Sequence, residues 1–486
     1  VRGRRYFRRK AIGLAATLMA AALGAGPALT EPGAAPASAP EPAPESAQHP
    51  VQPNILFVLV DDMGYGDLSI TGNRLVATPN IDALAHDGIV MTQFYDASPL
   101  CSPSRAGFMT GRFPARDRFV TFIDNRRRNA AFNQADWLDP ELPTLPRTLR
   151  QAGYKTGHFG KWHLGGGRDI GDAPLPTAYG FDESYVQWEG LGPRVLPTDL
   201  TNTLGEQSAR LGQGPLEWLP RAQLTDRFVN TTLDFVRRNK DEPWFAQLWL
   251  TDMHSPWVPS AEQLAETEGK GRNPREDNFL AVLVAMDAEI GQLVEGLRAA
   301  GELDETLIVF TSDNGPTIGA DAPGSAGPYR GRKASLYEGG VRQPLIVRWP
   351  GQVPAGSRDP DSVVQAVDLL PTLAGIAGAP TPAGIDGVDV SAAWRGTPMT
   401  SRPDLYSHVA RPGREAFGPL YAIRAGAWKL LMNADGSGAE LYNIEQDPAE
   451  QRDRTADSPD ILETLSKKLA NWIASLPPPA TPRRSR

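Results

Sequence analysis

The chain holds a single cysteine, Cys101, in 486 residues. One cysteine cannot close an intrachain disulfide, so stability has to come from the packed core. No cysteine lies near the N-terminal segment, which leaves no thiol there for a lipid anchor. Histidine is scarce too, with six residues, so a histidine that follows a strand carries weight. Positive charge is in deficit: 49 Lys and Arg face 57 Asp and Glu, for a net charge of −8. Six of those bases and no acid lie in residues 1–30; without them 43 bases face 57 acids, a charge of about −14. Such a balance argues against non-specific nucleic-acid binding. The apolar run from about Ala11 to Ala25 is too short to span a bilayer comfortably.

What is present divides the chain. "VRGRRYFRRKAIGLAATLMAAALGAG" has a basic start followed by an apolar run, the order of an export signal peptide over residues 1–30. Arg4-Arg5, followed by Tyr6-Phe7-Arg8, resembles a twin-arginine signal. An ordinary secretory signal is the alternative, and a retained anchor the third reading. The expected location is outside the cytoplasm, in a bacterial periplasm or secreted, with no stable membrane anchor. Residues 31–52 are rich in Pro and Ala and read as a linker.

From Asn54, strand and helix patterns alternate. "NILFVLVDDMGYGD" is an apolar run ending in two aspartates, the pattern of a buried parallel strand. In "TPNIDALAHDG", Thr78 suits an N-cap, Pro79 a first turn and Gly88 a stop. A strand is expected at Ile89–Tyr95. The helices "LPRTLRQAG", "LTDRFVNTTLDFVRRN" and "NFLAVLVAMDAEIGQLVEGLRAAG" precede the strand-like "YKTGHFGKWHLG", "PWFAQLWLTDMH" and "TLIVFTSDNG". This predicts an α/β fold, a large mixed, mostly parallel sheet sandwiched by helices. Beyond about residue 385, short alternating runs with Gly-rich turns predict a small antiparallel sheet, then one amphipathic helix in "DILETLSKKLANWIASL". The expected division is a catalytic domain at 53–399, a C-terminal α+β subdomain at 400–478 and a disordered tail at 479–486.

In an open α/β sheet, chemistry gathers beyond the carboxyl ends of the strands. Those ends carry Asp61-Asp62, Cys101, Lys161 with His163, His254, and Asp313-Asn314. Three carboxylates and one amide are hard oxygen donors, suited to Ca²⁺ or Mg²⁺ rather than zinc. The plainer reading is of helix caps and turns, yet two acidic doublets each follow a long apolar run. Arg105, Lys161 and Lys333 are cations able to hold a tetrahedral anion. His163 and His254 follow apolar runs and favour a cleft; His158 reads as packed within its strand. In "CSPSR" the proline can start a helix whose dipole points back at Cys101. On residue chemistry alone, Cys101 remains a nucleophilic thiol or a buried structural cysteine.

Together these residues resemble the formylglycine-dependent sulfatases of the alkaline phosphatase superfamily. The carriers are Cys101-Ser102-Pro103-Ser104-Arg105 followed by Thr110-Gly111-Arg112, with "DDMGYGDL", "TPNIDALA", "GKWHLG", "SDNG", "EGGVRQPLIVRWPG" and "AIRAGAWKLL…ELYNIEQDPAE". The resemblance runs from about Asn54 to Trp472. It implies that a separate maturation enzyme oxidises Cys101 to Cα-formylglycine, whose hydrate attacks sulfur with one hydroxyl and expels sulfate with the other. It implies that Asp61, Asp62, Asp313 and Asn314 bind Ca²⁺, which also contacts the formylglycine oxygen at position 101. Arg105 would hold the hydrate with Lys161 beside it, His163 would take the proton that drives sulfate elimination, His254 would protonate the leaving alcohol, and Lys333 would bind sulfate.

The implied activity is that of a sulfuric ester hydrolase acting on a sulfated carbohydrate or, second, an aryl sulfate. The partners are a sulfate-ester substrate, the maturation enzyme and the twin-arginine or general export machinery. A phosphodiesterase or phosphonate monoester hydrolase of the same superfamily is an alternative, as is an inactive protein that binds anionic glycans. Where some relatives carry a substrate-contacting serine, this chain has Trp188 and Glu189. Trp188 reads as a core tryptophan, with stacking on a sugar as the other option. Arg126–Arg128 reads as a loop, a solvated cluster paired with nearby acids, with contact to extra sulfates as the alternative.

Overall fold

The computed structural model describes residues 52–200, 203–319, 321–410 and 417–478. The expected signal peptide, nearly all of the linker and the C-terminal tail lie outside the described residues. Eleven strands form the main sheet: β1 (Asn54–Val60), β2 (Ile89–Tyr95), β3 (Lys155–Lys161), β4 (Glu183–Gln187), β5 (Arg194–Pro197), β6 (Leu216–Leu219), β7 (Trp244–Leu250), β8 (Thr306–Ser312), β9 (Arg342–Arg348), β10 (Ser357–Asp359) and β11 (Val364–Gln365). Their order is β10-β2-β9-β8-β1-β7-β3-β4-β5-β6, with β11 also pairing with β2. Among the described strands of this sheet β9 alone runs against the rest, antiparallel to both β8 and β2. The sheet is therefore mixed and mostly parallel, as the alternating pattern predicts.

A strand puts successive side chains on opposite faces. In β1 all seven residues are buried, because both faces are covered. Ile55, Phe57 and Leu59 join a core that takes in α2 (Cys101–Thr110), α4 (Leu145–Gln151), α7 (Leu369–Ile376) and α8 (Pro459–Ser475). Leu56, Val58 and Val60 join the other core, built with α1 (Pro79–His86), α5 (Leu224–Asn239) and α6 (Pro274–Ala300). Burying one such side chain contributes roughly 1.5–3 kcal/mol.

Helix termini show where local rules hold. Pro79 opens α1 and Thr78 holds the N-cap position, its carbonyl accepting from Asp82 N, but its hydroxyl makes no capping bond: it accepts from Ser69 N and donates to Asp82. A long polar loop returns to that point and competes for the hydroxyl. Helix α6 begins at Pro274, four residues before the expected Asn278, because the Asn273 side chain accepts from Arg275 N and Glu276 N. The Arg126–Arg128 run forms the start of a short helix, α3 (Arg126–Ala131), rather than a loop, with Asn125 as its cap.

The second sheet is antiparallel, β12 (Leu405–His408), β13 (Tyr421–Ala425), β14 (Trp428–Met432) and β15 (Glu440–Asn443), in that order. With α8 it packs onto the first core through Ile423, Leu430, Leu441, Leu469 and Trp472. A buried ionic group ties it down: Glu338 accepts from Lys429 of β14 at 2.8 Å, from Arg342 of β9 at 3.2 Å and from the Tyr95 hydroxyl of β2 at 2.6 Å.

Candidate active site

Strands β8, β1, β7 and β3 are consecutive neighbours in the sheet. Their carboxyl ends deliver Asp313-Asn314, Asp61-Asp62, His254 and Lys161 with His163 to one place. Asp61 N donates to Leu250 O, and Asp313 N to Val60 O, each at 3.1 Å, so the ladder hydrogen bonding continues into the site. Gly160 sets the height of Lys161. It has φ +112, and a Cβ there would stand 2.0 Å from the Trp249 carbonyl oxygen, so only glycine fits. Lys333 arrives on the loop after β8, its N–H donating to Pro316 O at 3.0 Å.

Cys101 is the first residue of α2, whose ten residues are all buried. Pro103 falls in its first turn, and Gly111, left-handed at φ 66, closes it. The Cys101 Sγ lies 3.2 Å from Lys333 Nζ. Burial pushes the thiol up to about 12, against the opposing pull of Lys161 and Lys333. Cys101 is therefore a resting thiol at neutral pH, a poor form for direct nucleophilic attack.

The charges behind it interlock. Lys333 Nζ donates to Asp62 Oδ1 at 2.5 Å, and Lys161 Nζ donates to Asp61. Arg105, fully buried, donates from Nε to Asp313 Oδ2 at 2.9 Å and from Nη1 to Lys161 O at 3.2 Å, with Nη2 3.7 Å from Asp61. Asn314 Nδ2 donates to Asp62 Oδ1 at 2.8 Å. Burial works to raise Asp61, but Lys161, His254, Arg105 and Lys333 hold it well below the usual range. Asp313 goes the other way, raised to about 7 by burial and the Asp61 charge.

The donors fit a hard divalent cation. Asp61 Oδ1, Asp62 Oδ2 and Asn314 Oδ1 are buried and accept no hydrogen bond. Ligand atoms of Asp61, Asp62 and Cys101 lie within 4.8 Å of one another. Buried oxygens without donors are costly unless a cation completes them.

Both histidines line the same cavity as Cys101, Asp62 and Lys333, a space of about 410 Å³. Burial, then Lys161 and Arg105, hold His163 well below the ordinary imidazole range, and neither of its ring nitrogens has a hydrogen-bond partner. His254 is lowered to about 4 by burial, although Asp61 acts to raise it. Its Nδ1 lies 2.7 Å from Ser255 O and donates to it in the tautomer that fits. All ten residues singled out in the sequence thus meet in one cluster. His158, as expected, packs in the core, with Nδ1 3.2 Å from Gln247 Oε1. A larger cleft of about 1150 Å³, lined by Arg74, Arg330 and Tyr329, adjoins the site at Ile318 but holds none of these ten residues.

Trp188 departs from the core expectation. It is only partly buried and lines the cavity, its carbonyl accepting from His163 N at 3.1 Å. The sequence reading also missed Arg168, Phe122 and Phe132, which line the same cavity, and Asp124, which pairs with Arg168 and Arg128. No motif marks them; only the fold brings them together.

This sheet, with its acidic pocket and buried cysteine at the carboxyl edge, is that of an alkaline phosphatase-like hydrolase, and the chain belongs to the sulfatase family. The family model described as Sulfatase matches residues 53–379, and that described as N-sulphoglucosamine sulphohydrolase, C-terminal, matches residues 329–475. Human (Homo sapiens) arylsulfatase A is 34% identical over 436 residues, covering 85% of this chain and 82% of the relative. N-acetylgalactosamine-6-O-sulfatase of Bacteroides thetaiotaomicron is 28% identical over 499 residues, covering 87% and 93%. The crystal structure of Ps i-CgsB in complex with k-i-k-neocarrahexaose superposes with a TM-score of 0.75 at 30% identity, covering 88% of this chain and 94% of that one. The chain is a sulfuric ester hydrolase by family.

Proposed function

We propose that this protein hydrolyses the sulfate monoester of a sulfated carbohydrate, using a Cα-formylglycine derived from Cys101 and a bound Ca²⁺. The observation that carries this reading is Cys101 itself. It is a helix-start thiol kept protonated by burial, 3.2 Å from a lysine and beside two carboxylates with orphaned oxygens. A thiol so held is a poor nucleophile and suits a precursor better than a reagent.

Asp61, Asp62, Asp313 and Asn314 would hold the metal. When bound, Ca²⁺ supplies positive charge against sulfate oxygens and the nucleophile, and the aldehyde of position 101, once hydrated, supplies a nucleophilic hydroxyl. The remaining work falls to side chains of the chain. Lys333 places its charge beside position 101, where it meets the sulfate group. Arg105 and Lys161 fix Asp313 and Asp61 from behind. With its Nδ1–H committed to Ser255 O, His254 carries its catalytic proton on Nε2 and gives it to the leaving alcohol. His163, whose ring nitrogens are unpartnered, takes the proton that accompanies sulfate release. Export before action, and a maturation enzyme as an obligate partner, belong to the same reading.

The test compares matched sulfate and phosphate esters, on both an aryl and a sugar leaving group, with protein from its native host. The expected result is faster sulfate release, abolished by chelation and restored by Ca²⁺. Preference for the phosphate ester, or indifference to chelation, would overturn the proposal.

A further inference from the structure

The cavity that holds Cys101 has a second set of cations on its wall, Arg128 and Arg168, which the chemistry above does not use. One buried carboxylate holds both: Asp124 takes Arg128 Nη1 at 3.0 Å on Oδ2 and Arg168 Nε at 3.3 Å on Oδ1. Glu189 takes Arg168 at 3.0 Å, also on Nε. Both acids therefore approach the same edge of Arg168 as ion pairs, although its Nε forms no hydrogen bond, and no hydrogen bond joins its two terminal nitrogens to the described residues. Arg128 spends one nitrogen on Asp124, and its guanidinium lies over the Phe122 ring at 4.9 Å.

The Arg168 pairs are unlike the solvated pairs of the helix that carries Arg128, itself 52% exposed. Arg126 pairs with Asp136 and with Asp172, the latter 65% exposed, as surface ion pairs do. The acids behind Arg168 are 6% and 4% exposed, and removing carboxylates from water costs free energy that a surface cluster need not expend. Burial also raises Glu189 to about 7, so near neutrality the wall keeps a net positive charge. Arg168, Trp188 and Glu189 all hold left-handed backbones, with φ of 54, 54 and 51, a conformation that side chains adopt at a cost and that clusters at ligand sites. Trp188 lines the same wall.

We infer that Arg128 and Arg168 form a second anion subsite, which takes a sulfate or carboxylate carried by the same glycan as the scissile sulfate, with Trp188 facing the sugar ring. The free nitrogens of a guanidinium match such a group two at a time. The substrate class is then a carbohydrate with at least two anionic groups, and not a simple aryl sulfate. The inference rests on reading this cavity as the sulfate-ester site.

Its test is a binding measurement, made on the full chain carrying Cys101→Ala so that turnover plays no part. Calorimetry compares three disaccharides of uronate and hexosamine: a monosulfated form, its disulfated form, and the monosulfated form with the carboxyl reduced to an alcohol. At least a tenfold gain in affinity is expected from one of the two extra anions, and which one identifies the group bound. Adding Arg168→Gln or Arg128→Gln is expected to shrink that gain below twofold, with Arg168→Lys intermediate. Arg128, 52% exposed, serves where loss of Arg168 unfolds the wall. No gain in the parent, or a gain that survives both variants, overturns the subsite. If the gain depends on arginine while native-host protein releases no sulfate, the catalytic reading fails and the subsite stands.

Discussion

At the scale of single residues, His254 makes the sharpest demand. Burial holds its imidazole at about 4, so at neutral pH it is mostly uncharged. A general acid must carry its proton, and the protonated fraction grows about tenfold for each pH unit as pH falls toward that value. Turnover of a sugar sulfate, whose alcohol leaves poorly, should therefore climb as pH drops from 7 to 5, while an activated aryl sulfate should respond less. His254→Ala should cost about 10²–10⁴-fold on the sugar ester and far less on the aryl ester. Equal losses on the two substrates would remove His254 from that role. Most of the ten clustered residues were legible because they sit in short motifs just past an apolar strand, while Cys101, Arg105 and Lys333, on a helix and a loop, were legible through the motifs around them. Arg168, Asp124 and Glu189 were not legible, since their meaning lies in pairing across 44 and 21 residues of chain. Trp188 was misread as core because composition cannot tell a cavity wall from an interior.

Elements carry the next layer. The run of β8, β1, β7 and β3 as neighbours explains why four separate motifs converge. Alternation of strands and helices announced a mostly parallel sheet, but not this order, nor that β9 would run the other way, because pairing is decided by contacts distant in sequence. The small sheet was visible in its Gly-rich turns; its attachment was not. That attachment centres on Glu338, whose carboxylate receives Lys429, Arg342 and Tyr95 while Lys429 also meets Glu450 at 2.9 Å. Glu338→Ala would leave buried Arg342 without its carboxylate and Lys429 with Glu450 alone, and should cost about 3–5 kcal/mol in urea unfolding. A loss below about 1 kcal/mol would mean that apolar packing alone holds the small sheet in place.

For the whole molecule, no described helix is long and apolar enough to cross a membrane. The fold buries one cysteine at the foot of a cavity, surrounds it with Lys333, Lys161 and three carboxylates, and keeps its thiol protonated. That arrangement suits the proposed conversion of the side chain at position 101 before it acts. The most direct measurement is the mass of the tryptic peptide from Leu75 to Arg105 in protein from its native host, read beside sulfate release from the same preparation. The account predicts that Cys101 carries an aldehyde in place of the thiol, and that activity scales with the aldehyde fraction between preparations. Full sulfate-releasing activity from protein whose peptide carries only the unmodified thiol would contradict it.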